Sequence, residues 1–257
     1  MTFPHILLLF AAAVLGGTLN SVAGGGSFFT FPALLFAQVP PIQANATSTV
    51  ALWPGSVASV GAYRRELAQQ RPGLLVLLVG TSLIGGILGA ILLLRTPQST
   101  FVSLIPYLLL MATLLFTFSG PITTRLRVRN VSKTRLSLAA LIGVSIAQLI
   151  IAIYGGYFGG GIGILMLASL AMMGMENIHV MNALKTLLAT CINGVAVVTF
   201  IVAGVVTWPQ AIVMVIGAIV GGYGGAYYAR KIEQKWVRLF VIIVGFALTI
   251  YFFVQQV

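Results

Sequence analysis

Acidic side chains are almost missing from this chain. There is no aspartate, and the three glutamates, Glu66, Glu176 and Glu233, all stand among loop residues. A proton or sodium relay built on carboxylates inside apolar segments is therefore excluded, and a cation substrate would find no such carboxylate to hold it. Cysteine is nearly as scarce. The single Cys191 lies in an apolar run and reads as a small buried side chain, so neither an intrachain disulfide nor a Cys-based metal site can form. The two histidines, His5 and His179, lie near the ends of apolar runs and read as surface residues. Gly26-Ser27 superficially resembles an intramembrane serine protease, but no histidine sits within a span to serve as base. No G-x-x-x-x-G-K loop and no metal-ligand cluster occurs. These absences predict a protein that is not an enzyme, with no catalytic residues, no metal and no cofactor.

Charge of either sign makes up 7% of the 257 residues, against about 25% in a soluble domain. Residues 1–63, 72–94, 96–124, 136–175, 186–229 and 239–257 contain no charged residue, whereas 59% of the chain is hydrophobic. A membrane-spanning helix takes about 20 apolar residues. The pattern predicts an all-α polytopic membrane protein. Its first 22 residues lack a basic n-region and an A-x-A site, and read as a retained first helix.

The net charge of +11 is concentrated in three clusters: Arg64, Arg65 and Arg71; Arg125, Arg127, Arg129, Lys133 and Arg135; and Arg230, Lys231, Lys235 and Arg238. All lie at span ends, where the positive-inside rule places cytoplasmic loops, so the basic balance points to a lipid bilayer and not to nucleic acid. With these clusters inside, both termini are expected outside. Of the 14 Lys/Arg, only Arg95 falls outside and only Lys185 in the membrane region.

Glycine is plentiful, and its densest stretches organise the chain. Gly24-Gly25-Gly26 and Gly159-Gly160-Gly161 each interrupt a long apolar run. Each glycine costs a helix interior roughly 1 kcal/mol relative to Ala. In a membrane such a break is tolerated only where its backbone is buried in protein or lines a cavity. Expected helices are 4–22, a short half-helix 27–37, 43–63, 73–94 and 101–119, the last broken by Gly120-Pro121. The order then repeats with 136–157, a short 162–174, 180–205, 209–229 and 236–256. Asn45-Ala46 matches Asn182-Ala183, Pro72 matches Pro209, Gly80 matches Gly217 and Gly85 matches Gly222, all 137 residues apart, while the triglycines lie two residues closer.

The chain thus reads as two inverted-topology repeats, residues 1–120 and 136–257, each with a broken or re-entrant helix at its triglycine, joined by a basic cytoplasmic linker 121–135. Gly85 with Gly89, and Gly222 with Ala226, have the spacing of close helix packing.

An inverted repeat brings the two breaks together near the bilayer midplane. The helix starts after them offer free N–H groups and a positive dipole end, which suits an anion. The expected substrate-binding set is Gly24, Gly25, Gly26, Ser27, Asn45, Thr47, Ser48, Thr49, Gly159, Gly160, Gly161, Asn182, Lys185 and Thr186. Lys185 contributes the one positive charge within a span, or else snorkels to the cytoplasmic interface. The hydroxyls and amides contact substrate, or else hydrogen-bond between helices.

The stretch Gly24-Gly25-Gly26-Ser27-Phe28-Phe29-Thr30-Phe31-Pro32-Ala33, followed by Pro41-Ile42-Gln43-Ala44-Asn45-Ala46-Thr47-Ser48, resembles the signature of the sulfite exporter TauE/SafE family. Tyr157-Phe158-Gly159-Gly160-Gly161 and Asn182-Ala183 carry its repeat. The second half departs in lacking a proline equivalent to Pro32 and in having Lys185 near where the first half has hydroxyls. The resemblance implies a multi-pass transporter of the cell inner membrane. Its substrates would be small sulfur-containing anions, sulfite or sulfonates such as sulfoacetate. The alternative is a non-transporting accessory subunit of a sulfur-metabolising membrane complex.

Overall fold

A computed structural model describes residues 2–22, 25–128, 138–173, 175, 177–228 and 234–255. Among them the chain forms eleven helices and no strand. These are α1 (Phe3–Val22), α2 (Ser27–Phe36), α3 (Pro41–Ala62), α4 (Arg64–Ala68), α5 (Pro72–Arg95) and α6 (Gln98–Val128), then α7 (Leu138–Tyr157), α8 (Ile162–Met172), α9 (Ile178–Val202), α10 (Trp208–Tyr228) and α11 (Gln234–Gln255). The elements begin where local chemistry favours a start. Pro41 and Pro72 occupy the first helical positions of α3 and α5, where their missing N–H costs nothing. Asn177 caps α9 by accepting from the backbone N–H groups of His179 (2.9 Å) and Val180 (3.4 Å).

The glycine-rich stretches end α1 and α7. Gly25, Gly159 and Gly161 adopt φ of 94°, 79° and 75°, a left-handed backbone that residues with a β-carbon rarely take. The helices that follow are short. The 10 residues of α2 and the 11 of α8 rise about 15–17 Å, half of a ~30 Å hydrocarbon core. The Gly120-Pro121 pair does not end a helix as the sequence suggested. α6 runs through it to Val128, as prolines in membrane helices commonly permit.

Among the described residues, four helical segments can cross a membrane by length and composition: Phe3–Asn20, Pro72–Arg95, Gln98–Phe118 and Ile178–Val202. Large apolar side chains such as Val76, Ile150 and Ile243 stand exposed on the outer faces.

Between such helices there is little hydrophobic driving force, and close approach of small residues takes over. α1 packs along α10, and α5 along α7. A β-carbon on Gly17 would overlap the Ala218 carbonyl, and one on Gly221 the Val14 carbonyl. On the other pair, Gly89 would meet the Ile153 carbonyl and Gly156 that of Gly86. Gly85 and Gly89 therefore pack as expected. Gly222 does not: a β-carbon there would meet only the Gly17 carbonyl, at an ordinary 3.9 Å. The contact stripe on α10 is Gly217, Ala218 and Gly221, and Gly222 lies about 100° further round the helix. The side chain of Ala226 lies outside the described residues.

The remaining pairs mirror one another. α3 crosses α9, α6 lies against α11, α3 touches α10 as α5 touches α9, α2 sits against α1, α3 and α11, and α8 sits against α7, α9 and α6. Along the α3–α9 pair, Thr47 bonds Thr207 at one end and Trp53 bonds the Thr190 carbonyl (3.1 Å) in the middle. At the far end α4, which follows α3, rests on α9. The two helices therefore run antiparallel.

Candidate functional site

α3 and α9 form two walls of a cavity of about 190 Å³, and the breaks before α2 and α8 form its floor. On α3 and at its C-terminal cap the lining residues are Thr49, Leu52, Ser56, Ser59 and Tyr63, which recur every three or four positions along one face. On α9 they are Asn182, Lys185, Thr186, Ala189 and Asn193, at the same period. Gly25 and Ser27 enter from the first break, Gly159, Gly161, Ile162 and Gly163 from the second. Asn20, Phe116, Phe158 and Ile164 complete the lining.

The chemistry of this lining is lopsided. Lys185 is the only charged residue in it. Among the described residues its ammonium has neither an ion pair nor a hydrogen bond, and it is half-buried. The stem of Lys185 crosses the first turn of α8, where a β-carbon on Gly163 would lie 3.2 Å from Cδ. The side chains of Ser27, Asn182, Thr186 and Asn193 likewise have no hydrogen-bond partner among the described residues.

At the start of α8, Gly159 and Gly161 carbonyls accept from Ile162 (3.5 Å) and Ile164 (3.0 Å), but the N–H groups of Gly161 and Gly163 have no backbone acceptor among the described residues. Such free N–H groups carry the positive end of the helix dipole. Tyr154 fixes the loop that presents them, its hydroxyl donating to the Gly160 carbonyl at 2.7 Å. Among the described residues the cavity therefore offers one cation and several neutral donors, with no carboxylate facing them.

Of the fourteen residues expected from the sequence, Gly25, Ser27, Thr49, Gly159, Gly161, Asn182, Lys185 and Thr186 come together here. Five others do not line the cavity. Asn45, 3% exposed, donates from Nδ2 to the carbonyl of Tyr157 (3.0 Å). Thr47 accepts from the backbone N–H of Thr207 (3.1 Å), and its hydroxyl lies 2.9 Å from the Thr207 hydroxyl. Ser48 shares a 2.6 Å hydroxyl pair with Thr30. Gly26 backs onto Gly16, whose carbonyl a β-carbon at position 26 would strike, and Gly160 is held by Tyr154. Gly24 lies outside the described residues.

The sequence reading missed Asn193 and the pair formed by Asn20 Nδ2 and Ser56 Oγ (3.3 Å). The available signal was periodicity. Asn193 continues the face of Asn182, Lys185, Thr186 and Ala189, and Ser56 and Ser59 continue the face of Thr49.

A bundle of apolar helices, exposing apolar side chains outward and enclosing a polar, singly charged cavity, is a multi-pass membrane protein. More particularly, the chain belongs to the sulfite exporter TauE/SafE family, whose profile matches residues 9–252. It is 30% identical to a probable membrane transporter protein, ORF9, of Sinorhizobium sp, covering 97% of this chain and 93% of that one. It is 27% identical to a probable membrane transporter protein of Haemophilus influenzae, with 95% and 92% covered. It is also 28% identical to the probable membrane transporter protein YfcA of Escherichia coli K12, with 95% and 88% covered. No solved structure matches the chain.

Proposed function

We propose that this protein carries small sulfur-containing anions, sulfite or sulfonates such as sulfoacetate, across the cell inner membrane, and that the cavity around Lys185 is their binding site. The observation that carries the reading is the unpaired Lys185 ammonium among unpaired neutral donors, beside the free N–H groups of Gly161 and Gly163. An unpaired ammonium in a membrane span is costly unless something neutralises it, and a bound anion does so. At 4 Å and an effective dielectric near 20, a unit charge pair is worth about 4 kcal/mol. Ser27, Asn182, Thr186 and Asn193 then supply hydrogen bonds to the oxygens of a sulfite or sulfonate group. Leu52, Phe116 and Ala189 supply the apolar contact that a short carbon tail would take. The sulfur chemistry of the substrate rests on the family.

Two further features support a transporter. The mirrored helix pairs fit two inverted repeats exchanged by a two-fold axis in the membrane plane, an architecture that places substrate sites near the midplane at the repeat interface. Trp53 and Thr190, which bond each other across the α3–α9 crossing, stand 137 positions apart, the spacing of the internal repeat. A residue that touches its own equivalent lies on such an axis. With the basic clusters in the cytoplasm, the end of the cavity near Tyr63, which precedes Arg64 and Arg65, faces inward, and both termini lie outside.

The test is thermal unfolding of the purified protein with sulfite, sulfate, thiosulfate, sulfoacetate, taurine and succinate. A ligand that binds only the folded state at 100 times its Kd adds about 2.7 kcal/mol. We expect a rise in Tm with sulfite or sulfoacetate that is lost in Lys185→Ala. Absence of any shift in folded wild-type protein contradicts the proposal.

A further inference from the structure

The cavity is not symmetric about the α3–α9 crossing. From the Trp53–Thr190 contact it extends ten residues along α3, to Tyr63, and eight back along α9, to Asn182. In the opposite direction it reaches only Thr49 and Asn193. Beyond Thr49, the start of α3 is sealed against its neighbours. Thr47 is bonded to Thr207, Ser48 to Thr30, and Asn45 to the carbonyl of Tyr157. Below them Phe31 meets Phe158 edge-on (5.6 Å, 88°) and Phe101 (6.4 Å, 71°), while Phe101 meets Tyr157 (5.8 Å, 73°). Phe158 belongs to both regions: it lines the cavity and stands in the aromatic layer that closes the far side.

The sequence repeat makes this asymmetry informative. Asn45 and Asn182 are equivalent positions, yet they are used differently. Asn45 is buried and donates to Tyr157, the last residue of α7 before its glycine break. Asn182 faces the cavity and has no partner among the described residues. The position equivalent to Tyr157 in the first half is Val22, the last residue of α1 before its own break. Exchange of the two halves therefore maps the Asn45–Tyr157 hydrogen bond onto one from Asn182 to the Val22 carbonyl.

Resting on the transport reading above, we propose that Asn45 and Asn182 are alternating latches. In the state seen, Asn45 holds the end of α7 and seals one side of the cavity. In the opposite state Asn182 holds the end of α1 and Asn45 is released to face the substrate. The Thr47–Thr207 and Thr30–Ser48 contacts open with Asn45. Each asparagine thus alternates between lining the site and locking it, so the site keeps an amide donor whichever side it faces. Two packings related by exchange of the halves would form a two-state element that ligand binding can shift.

Two measurements test this. The first uses Ser59→Cys in a Cys191→Ser background, labelled with a membrane-impermeant thiol reagent. Asn45→Ala removes the latch of the observed state, so labelling at position 59 falls severalfold. Asn182→Ala removes the latch of the opposite state, so labelling stays or rises. Shifts in the same direction, or none in either variant, overturn the proposal. A merely structural asparagine would not give opposed effects, and labelling reads conformation whether or not sulfite is carried.

The second measurement uses Thr47→Cys/Thr207→Cys in the same background, whose side chains start from oxygens 2.9 Å apart. Oxidation is expected to cut uptake of sulfite and sulfoacetate into proteoliposomes at least tenfold, with recovery on reduction, while the thermal shift by the same anions persists. Full transport by the fully cross-linked protein overturns the latch. If the reduced protein transports neither anion while the labelling shifts are opposed, the substrate reading fails and the latch stands.

Discussion

The proposed site depends on Lys185. Its ammonium has no counter-ion among the described residues, and its stem is threaded past Gly163, where a β-carbon would sit 3.2 Å from Cδ. Removing the charge in Lys185→Ala is expected to weaken sulfite or sulfoacetate binding at least tenfold, about 1.4 kcal/mol, read from the anion concentration needed for half the thermal shift. Gly163→Val keeps the charge but displaces the stem. A comparable loss of binding in that variant, with the folded protein intact, is the expected result, and undiminished binding would show that the position of the ammonium does not matter. Lys185 itself stood out in the sequence because it is a lone charge within a neutral stretch. Asn193 did not, because an asparagine about two turns further along the same helix face is visible only once that face is known to meet a cavity. Asn45, Thr47 and Ser48 looked as eligible as Asn182 and Thr186; at a spacing of 137 Asn45 matches Asn182, whereas Thr47 and Ser48 match Leu184 and Lys185. Under the proposed latch, which of Asn45 and Asn182 lines the cavity depends on which side is open, and that is a property of the conformation.

At the scale of the helix, positions of small residues decide how closely neighbours approach. Gly17, Gly89, Gly156 and Gly221 each place a bare Cα against a carbonyl of the facing helix. Gly89→Leu is expected to cost about 1–3 kcal/mol of stability through overpacking, seen as a lower Tm in detergent. Gly222→Ala, one residue beyond Gly221, is expected to leave Tm within about a degree or two, since its new methyl meets the Gly17 carbonyl at 3.9 Å.

Helix boundaries were legible to within a few residues because Pro41, Pro72, the triglycines and the charge-free runs are strong local signals. The register of the α10 stripe was not. Gly217, Gly221 and Gly222 all satisfy small-residue spacing, and only the rotation of α10 against α1 chooses among them. Gly120-Pro121 misled for a related reason: a proline cannot donate to the preceding turn, but a membrane helix often continues through it.

For the whole molecule, the sequence carries an internal match at a spacing of 137, and the helix pairs fall in the same order before and after residue 128. The α3–α9 crossing is where these halves meet. Trp53→Phe removes the indole donor to the Thr190 carbonyl and is expected to cost about 1 kcal/mol in stability; if the halves move about this crossing as proposed, transport falls more than anion binding. Equal losses in binding and transport would assign Trp53 to the site instead.

The central claim is that this cavity passes small sulfur-containing anions by means of one unpaired lysine. Uptake of isotope-labelled sulfite and sulfoacetate into proteoliposomes, compared between the wild-type protein and Lys185→Gln, tests it most directly. The account predicts uptake of at least one of these anions above protein-free vesicles, competed by the unlabelled anion and reduced at least tenfold by the substitution. Uptake that survives Lys185→Gln unchanged would contradict the site, and folded wild-type protein that passes neither anion would contradict the function.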